Sequence, residues 1–206
     1  MSAMKVMLLM AIAGHLLCGV TDCMMTYLPR GRFRFEDMKD NQRLSAAFEG
    51  MSPRQPLLAM LLGCLAMCLF FFGYMALCDW MRVYSRPCAL LMLAGCALLF
   101  TFGMAHHVLC GAPEWLYVRL GRTQQALEII NEFIRKTSLT MFVCYLGFLI
   151  FGVALFIPVV SGATPLPRWA CVFNILPLML AFMPLRVGGA GNWAGAVMFL
   201  GLLSLL

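Results

Sequence analysis

Four ionisable side chains lie in or at the ends of two long apolar segments, where such groups are rare. His15 and Asp22 are seven residues apart in the first segment, about two turns of a helix, so they share one helical face. His106 and His107 follow an uncharged stretch that begins at Pro87. A carboxylate in apolar surroundings costs several kcal/mol unless it is paired or hydrated. We therefore expect Asp22 to face the protein interior or a cavity.

This pattern is compatible with two roles for Asp22 and a histidine. An imidazole beside a carboxylate forms an acid and base pair, or a polar anchor for an amphipathic ligand. The same two groups can instead satisfy each other and hold the first and third helices together, because pairing removes the penalty of burial. The sequence leaves both roles open and identifies no catalytic residue.

Further polar residues belong to the same predicted face of the membrane. Tyr27 lies at the end of the first apolar segment and Asn192 at the end of a glycine-rich turn, so both are placed to orient a ligand held by Asp22 and His107. The complete set of candidate ligand-binding residues is Asp22, His107, Tyr27, Asn192, His106 and His15.

The sequence predicts neither a metal site nor another cofactor. The chain has three histidines, and the side chains of adjacent His106 and His107 point about 100° apart on a helix, which hinders joint ligation. All ten cysteines fall within or at the edges of apolar runs, where a thiol usually packs as a small hydrophobic group. The glycines of residues 188–191 lack the spacing and the lysine of a phosphate-binding loop.

The composition predicts that the elements holding these residues cross a membrane. The chain of 206 residues is 63% hydrophobic and 12% charged, with a mean hydropathy of +0.88. Soluble domains have a clearly smaller apolar share. We therefore expect one integral membrane domain over residues 1–206, without a separate aqueous domain.

Six apolar segments predict an all-α fold, a polytopic transmembrane helix bundle. At about 1.5 Å per residue, about 20 residues cross a hydrocarbon core of roughly 30 Å. In the third segment we expect the helix to end shortly after His107, with Gly111 as a left-handed cap and Pro113 as a stop signal. Gly95 and Gly103 share one face of it and would let another helix approach closely. The last segment is short. The predicted spans are residues 4–28, 57–78, 87–110, 139–160, 169–185 and 193–206.

The two long polar loops, the first and the third, each predict an amphipathic helix. In the first loop, Leu44, Phe48 and Met51 recur at helical spacing. In the third, an apolar stripe lies opposite a charged face. The members of this stripe are Ala126, Leu127, Ile130, Phe133 and Ile134. We expect both helices to be interfacial, lying on the membrane, so the lipid bilayer is a predicted partner.

The distribution of basic residues predicts the orientation in the membrane. The amino terminus and the second and fourth loops carry four of the fifteen lysines and arginines, and the odd-numbered loops carry the other eleven. The positive-inside rule then places the odd-numbered loops in the cytoplasm and both termini outside, in a cell (inner or plasma) membrane. Lipid headgroups explain the basic loops more simply than nucleic acid does, so we expect no nucleic-acid partner.

Several short motifs are spread over nearly the whole chain. They are Gly19-x-x-Asp22 followed by Tyr27-x-Pro29, Gly103-x-x-x-His107, Pro167-Arg168-Trp169, Gly188-Gly189 and Asn192. Together they resemble an uncharacterised bacterial family of six-helix integral membrane proteins, a domain of unknown function. Members often have glycine where this chain has Thr21 and an aromatic residue where it has His106, which points to His107 as the family histidine. The resemblance implies an architecture and a site location, and no activity comes with it.

Three classes of function fit these observations. The first is binding or processing of a small lipophilic or amphipathic molecule in a polar pocket centred on Asp22 and His107. The second is a proton-coupled transporter, although the chain shows no clear internal repeat and no paired broken helices. The third is a structural bundle that binds a partner protein, and a metal-dependent membrane hydrolase is a remote fourth. The sequence leaves open whether the protein is an enzyme and which protein partners it has.

Overall fold

The computed structural model describes residues 2–206 of the chain and shows an almost entirely helical protein. The predicted all-α class is confirmed. The α-helices are α1 Ala3–Thr26, α2 Asn41–Ala47, α3 Arg54–Arg82, α4 Arg86–Arg119, α5 Gln124–Thr137, α6 Leu139–Ser161, α7 Ile175–Phe182 and α8 Ala190–Leu205. An antiparallel hairpin pairs β1 Tyr27–Leu28 with β2 Gly31–Arg32, and short 3-10 helices cover Phe35–Lys39, Arg168–Val172 and Met183–Leu185.

Four helical segments are long and apolar enough to cross a membrane. They are Ala3–Thr26, Arg54–Arg82, Arg86–Arg119 and Gln124–Ser161, the last of which combines α5 and α6. The helices α7 and α8 are also apolar but shorter, with 8 and 16 residues. Four of the six predicted spans therefore correspond to helices of sufficient length.

The segment predicted as the fifth span is not one continuous helix. It contains a 3-10 turn, then α7, then a second 3-10 turn. Asn174 accounts for the interruption, because its side chain caps α7 by accepting the N–H of Leu176 at 3.0 Å. The same side chain donates to the Gly152 carbonyl of α6 at 2.9 Å. One asparagine thus starts α7 and fixes that start to α6.

The long helices pack around one hydrophobic core. α1 lies against α3 and α8, and α4 lies against α3 and α6. The predicted close approach at Gly95 is confirmed, because a Cβ there would lie 2.8 Å from the Gly147 carbonyl of α6. Fully buried aromatic side chains at the centre include Phe70, Tyr74, Phe151 and Phe199.

The helix α4 extends well beyond its predicted end. Pro113 lies inside the helix, which continues to Arg119, so the prediction of a cap at Gly111 and a stop at Pro113 is wrong. His107 consequently lies about three turns before the end of the helix and not in its last turn.

Packing explains why α4 tolerates the proline. Pro113 lacks the N–H that would bond the Leu109 carbonyl, a loss that usually kinks or breaks a helix. The turns beyond it are held by tertiary contacts, since Tyr117 is fully buried and its hydroxyl donates to Asn41 at 2.7 Å. These contacts offset the local preference for a helix end.

A second hydrophobic cluster joins the first loop to α5, and we call this layer, residues 27–53 together with α5, the cap. The buried members of the cluster are Leu28, Met38, Leu44, Phe48, Met51, Tyr117, Ala126, Leu127 and Ile130. Both predicted amphipathic helices have counterparts, α2 and α5, although α2 ends at Ala47 and therefore leaves Phe48 and Met51 outside the helix. Their apolar faces contribute to the same cluster, in which Leu44 is 0% and Leu127 is 2% exposed. Protein therefore covers much of these apolar faces, and the interfacial position of the two helices stays a prediction.

Candidate functional site

Asp22 lies at the centre of a chain of side chains contributed by α1, α4 and α8. Its Oδ2 accepts the side-chain N–H of Asn192 at 2.7 Å, and its Oδ1 lies 3.5 Å from Nδ1 of His107. Oδ1 of Asn192 lies 3.0 Å from Nδ1 of His15. At the other end, Nε2 of His107 lies 3.1 Å from the Ala59 carbonyl of α3. We call His15, Asn192, Asp22 and His107 the polar relay.

The acceptors in the polar relay determine where its protons lie. The Ala59 carbonyl can only accept, so Nε2 of His107 carries a proton. A carboxylate beside an unprotonated Nδ1 would place two acceptors in contact. At 3.5 Å, Oδ1 of Asp22 and Nδ1 of His107 can form a hydrogen bond only when one of the two groups carries a further proton. The pair is therefore a site at which one proton can be taken up.

His15 has a defined tautomer at the far end of the polar relay. The Asn192 amide donates its N–H to Asp22, so its oxygen faces His15 and accepts the proton on Nδ1. The His15 ring is fully buried and stacks on Phe70, with the ring centroids 4.1 Å apart. Its Nε2 has no hydrogen-bond partner within residues 2–206. An imidazolium here would bury an unpaired charge, so the ring is neutral.

Two glycines make room for the polar relay. A Cβ on Gly63 of α3 would lie 1.8 Å from Nε2 of His107, so only glycine lets this ring pack against the α3 backbone. Gly189 has a φ of +70°, and a Cβ there would lie 2.9 Å from Cβ of Asp22. The turn before α8 thereby brings Asn192 to Asp22. Sequence reasoning missed Gly63, because a lone glycine in an apolar helix does not show which side chain faces it.

The polar relay borders a cavity of about 630 Å³. The side chain of Asp22 is 22% exposed and that of His107 is 8% exposed, so the carboxyl group is the part of the pair that a bound molecule reaches most easily. The polar wall is formed by Asp22, His107, His106 and Asn192. Apolar side chains that also line it include Met67, Phe70, Phe148 and Met179.

The structure brings four of the six candidate ligand-binding residues together in the polar relay and leaves two outside it. His106 lines the same cavity, but its contact is with Cys110, whose Sγ lies 3.4 Å from Nε2 of the ring. Tyr27 does not line the cavity. It is 45% exposed in the hairpin, with the Arg32 guanidinium 5.6 Å from its ring centroid.

Comparison with protein families places the chain among relatives of unknown activity. The model of a family of unknown function, DUF6796, matches residues 1–205. The chain belongs to the DUF6796 family. The predicted resemblance to a domain of unknown function is thereby confirmed. No curated protein and no solved structure shows significant similarity to the chain.

In this DUF6796 chain, several of the motifs that carried the resemblance meet at the polar relay. Gly19 lies one turn before Asp22, and a Cβ on it would lie 2.9 Å from the Trp193 indole. The indole Nε1 donates to the Gly188 carbonyl at 2.8 Å. These contacts hold the start of α8 against α1, which is the arrangement that Asn192 needs to reach Asp22.

Cys18 adds a sulfur atom to the oxygen and nitrogen atoms of the DUF6796 site that could bind a metal ion. Its Sγ, an oxygen of Asp22 and a nitrogen of His107 lie within 4.8 Å of one another. A thiolate, a carboxylate and an imidazole suit an ion such as zinc. The contact of His107 with a backbone carbonyl is one that metal-bound histidines usually make. The sequence predicted no metal site, and the four-residue spacing of Cys18 and Asp22 on one helical face is the signal that would have indicated these donors.

Proposed function

We propose that this DUF6796 protein is a multi-pass membrane protein that binds or processes a small lipophilic or amphipathic molecule in the cavity beside Asp22 and His107. The observation that carries the proposal is the polar relay in the wall of a 630 Å³ cavity. Cavities of about 300 to 1,000 Å³ with apolar walls and a few convergent polar groups are the usual form of small-molecule sites. Ionisable residues inside an apolar bundle are likewise associated with function in membrane proteins.

The polar and apolar parts of the cavity lining suit the two ends of an amphipathic molecule. A polar head would meet the exposed edge of Asp22, and an apolar body would lie against Met67 and Phe148. A proton taken up by Asp22 or His107 would be available for transfer to or from that head. Binding alone needs only the hydrogen bonds, whereas processing needs this proton to move.

The proposed membrane orientation follows from helix length and charge. The four long helices make four crossings, and α7 and α8 with their flanking turns complete the predicted six. With 16 residues, α8 extends about 24 Å, somewhat less than the roughly 30 Å of a hydrocarbon core. The odd-numbered loops carry eleven of the fifteen basic residues, so the cap lies in the cytoplasm and both termini lie outside a bacterial cell membrane.

Mass spectrometry of compounds that co-purify with the protein tests the proposed binding site. We expect one lipophilic or amphipathic compound with the wild type and its loss from the Asp22→Asn and His107→Gln variants, which keep side-chain size and change charge or proton donation. Asp79→Asn is the matched control. Asp79 is an exposed carboxylate at the other end of α3, where it pairs with Arg82 at 2.6 Å.

Two results contradict the proposed site. Retention of the compound by both variants shows that it binds elsewhere. Unfolding of Asp22→Asn and His107→Gln, while Asp79→Asn stays folded, favours a structural or partner-binding bundle in which the pair only holds α1 to α4. Helical content and a monodisperse elution profile in detergent distinguish these outcomes.

A proton-coupled transporter is the second candidate, and the contact between the Asp22 carboxyl group and the His107 imidazole inside the bundle favours it. Chains of carboxylates and imidazoles inside membrane helices serve as proton relays in pumps and transporters. The protein in sealed vesicles would then move the co-purified compound, and this flux would collapse when the proton gradient is dissipated. Absence of flux in the presence of binding rejects transport and leaves the first proposal standing.

A further inference from the structure

A second cavity, of about 360 Å³, lies between the cap and the helices α1, α4 and α6. Its walls are mostly apolar, and three phenylalanines of the cap, Phe33, Phe35 and Phe48, line it. Among the residues that the structure describes, Glu114 of α4 supplies the single carboxyl group in this wall. The sequence analysis gave Glu114 no role, and the proposed function does not use it.

Glu114 is buried without a partner. The residue is 6% exposed, and its Oε2 has no hydrogen-bond partner in residues 2–206. No lysine, arginine or histidine nitrogen of the described chain lies within 4.0 Å of it. Two other polar groups in the wall are already engaged, because the hydroxyls of Thr137 and Ser138 donate to backbone carbonyls at 2.9 Å. A carboxylate removed from water without a counter-charge costs several kcal/mol.

The proline before Glu114 leaves one backbone carbonyl of α4 without a helical partner. Pro113 has no N–H, so the carbonyl of Leu109 lacks its usual helical donor. Leu109, Pro113 and Glu114 all line the cavity. A carboxylate that lacks a counter-charge suits an ammonium group, which has up to three N–H donors and no acceptor.

We propose that this second cavity binds a lipophilic primary amine, whose ammonium group pairs with Glu114 and whose apolar body lies among the phenylalanines of the cap. The cation supplies the counter-charge that the protein does not provide. Aromatic faces near the ammonium add attraction of about 0.5 to 2 kcal/mol where water is excluded. This site is separate from the polar relay and does not depend on the function proposed for it.

Equilibrium dialysis of the full-length protein in lipid nanodiscs tests the proposal, with empty nanodiscs to subtract partition into lipid. The probes are 2-phenylethylamine and 2-phenylethanol, which share one shape and differ in the charged group. We expect the wild type to bind the amine at least tenfold more tightly than the alcohol. In Glu114→Gln, amine binding should fall at least tenfold, to the level of the alcohol.

Two control variants locate the effect. Glu128→Gln makes the same change on the exposed face of α5, where the carboxylate accepts the Gln124 side-chain N–H, and it should bind the amine like the wild type. Asp22→Asn should also bind the amine normally, since Asp22 belongs to the other cavity. Loss of amine binding in Asp22→Asn would assign the amine to the polar relay and overturn the proposal.

Two further outcomes overturn the proposal. Equal affinity of the wild type for amine and alcohol shows that the cavity accepts apolar molecules, such as a lipid chain, without using the carboxylate. Undiminished amine binding by Glu114→Gln places the amine elsewhere. Should Glu114→Gln fail to fold, the wild-type comparison of the two probes and the Asp22→Asn measurement decide the question without it.

Discussion

Asp22 and Glu114 are two partly or fully buried acids with opposite surroundings. Asp22 accepts a hydrogen bond from Asn192 and contacts His107, whereas Glu114 has neither a hydrogen bond nor a counter-charge. Removing a paired acid leaves its partners unsatisfied, and neutralising an unpaired one relieves a desolvation penalty. Substitutions of the two residues should therefore change the free energy of unfolding in opposite directions.

We expect Asp22→Ala to destabilise the protein by about 2 to 4 kcal/mol, because it leaves the Asn192 amide and the His107 ring without their acceptor. We expect Glu114→Gln to stabilise it by about 1 kcal/mol, since an uncharged amide is less costly to bury than a carboxylate. Unfolding in mixed micelles, followed by circular dichroism, measures both changes. Shifts of the same sign would contradict this account of the two acids.

The hydrogen-bonding pattern also predicts the protonation of individual histidine nitrogens. Nitrogen-15 NMR of histidine-labelled protein should show His15 protonated on Nδ1 only, because Asn192 Oδ1 accepts there and Nε2 is buried without a partner. His107 should carry a proton on Nε2, where the Ala59 carbonyl accepts. In Asp22→Asn the signals of His107 should shift more than those of His106. A His15 ring protonated on Nε2 would show that the Asn192 amide is oriented the other way.

Among the helices, the contact between α3 and α4 sets the position of the His107 ring. The ring fills the space that a side chain at residue 63 would occupy, with Nε2 held by the Ala59 carbonyl one turn earlier on α3. In a protein interior packed this closely, one added methyl group displaces neighbouring side chains and lowers the free energy of unfolding. Gly63 therefore positions the histidine of the polar relay without contacting a ligand.

We expect Gly63→Ala to displace the His107 ring and to destabilise the protein by about 1 to 3 kcal/mol. In a His107→Ala background the obstruction is absent, so the same glycine substitution should be neutral or should stabilise α3 by up to about 1 kcal/mol. A double-mutant cycle measured by thermal unfolding gives the coupling energy between residues 63 and 107. Additive effects of the two substitutions would show that the ring does not occupy this space.

The sequence indicated the long helices better than it indicated their breaks. Lengths of uncharged sequence identified the helices that are long enough to cross a membrane, because burial in lipid or core demands apolar residues along the whole helix. The prediction of helix ends from the sequence failed at Pro113 and Asn174, where contacts between distant segments decide whether a helix continues. Tyr117 bonds to Asn41 beyond the proline, and Asn174 bonds to Gly152 of α6, and neither partner can be inferred from local pattern.

The same limit applies to the candidate site. The unfavourable burial of Asp22 correctly suggested a polar partner, and a histidine of the third long helix is in contact with it. The position of Tyr27 near the end of the same segment as Asp22 suggests a place at the site, but the residue lies in the hairpin and does not line the cavity. Gly63 and Cys18 were not recognised as neighbours of the site, because their positions depend on how α1, α3 and α4 pack together.

At the scale of the whole molecule, the protein consists of a helix bundle and a cap with its own hydrophobic cluster. The cap is held by apolar contacts between the first loop and α5, supplemented by polar bonds. The side chain of Asn131 donates to the Met38 carbonyl at 2.9 Å, and that of Arg122 donates to the Ser45 carbonyl at 3.1 Å. Because the second cavity lies under this layer, detaching the cap should open it.

We expect Leu127→Asp to detach the first loop from α5, since the substitution places an unpaired charge in the cap cluster. Trypsin should then cut the arginine-rich residues 30–43 at least tenfold faster, while the helical content of the bundle stays unchanged. Ile129→Asp is the matched control, because Ile129 is 44% exposed on the same helix. Equal protection of the loop in both variants would show that the cap does not depend on the Leu127 contact.

His106 and Cys110 of α4 line both cavities, so the two chambers share part of one wall. If a molecule bound in one chamber turned the His106 ring, the shape of the other chamber would change as well. In that case the factor by which either bound molecule alters the affinity for the other would be the same in both directions.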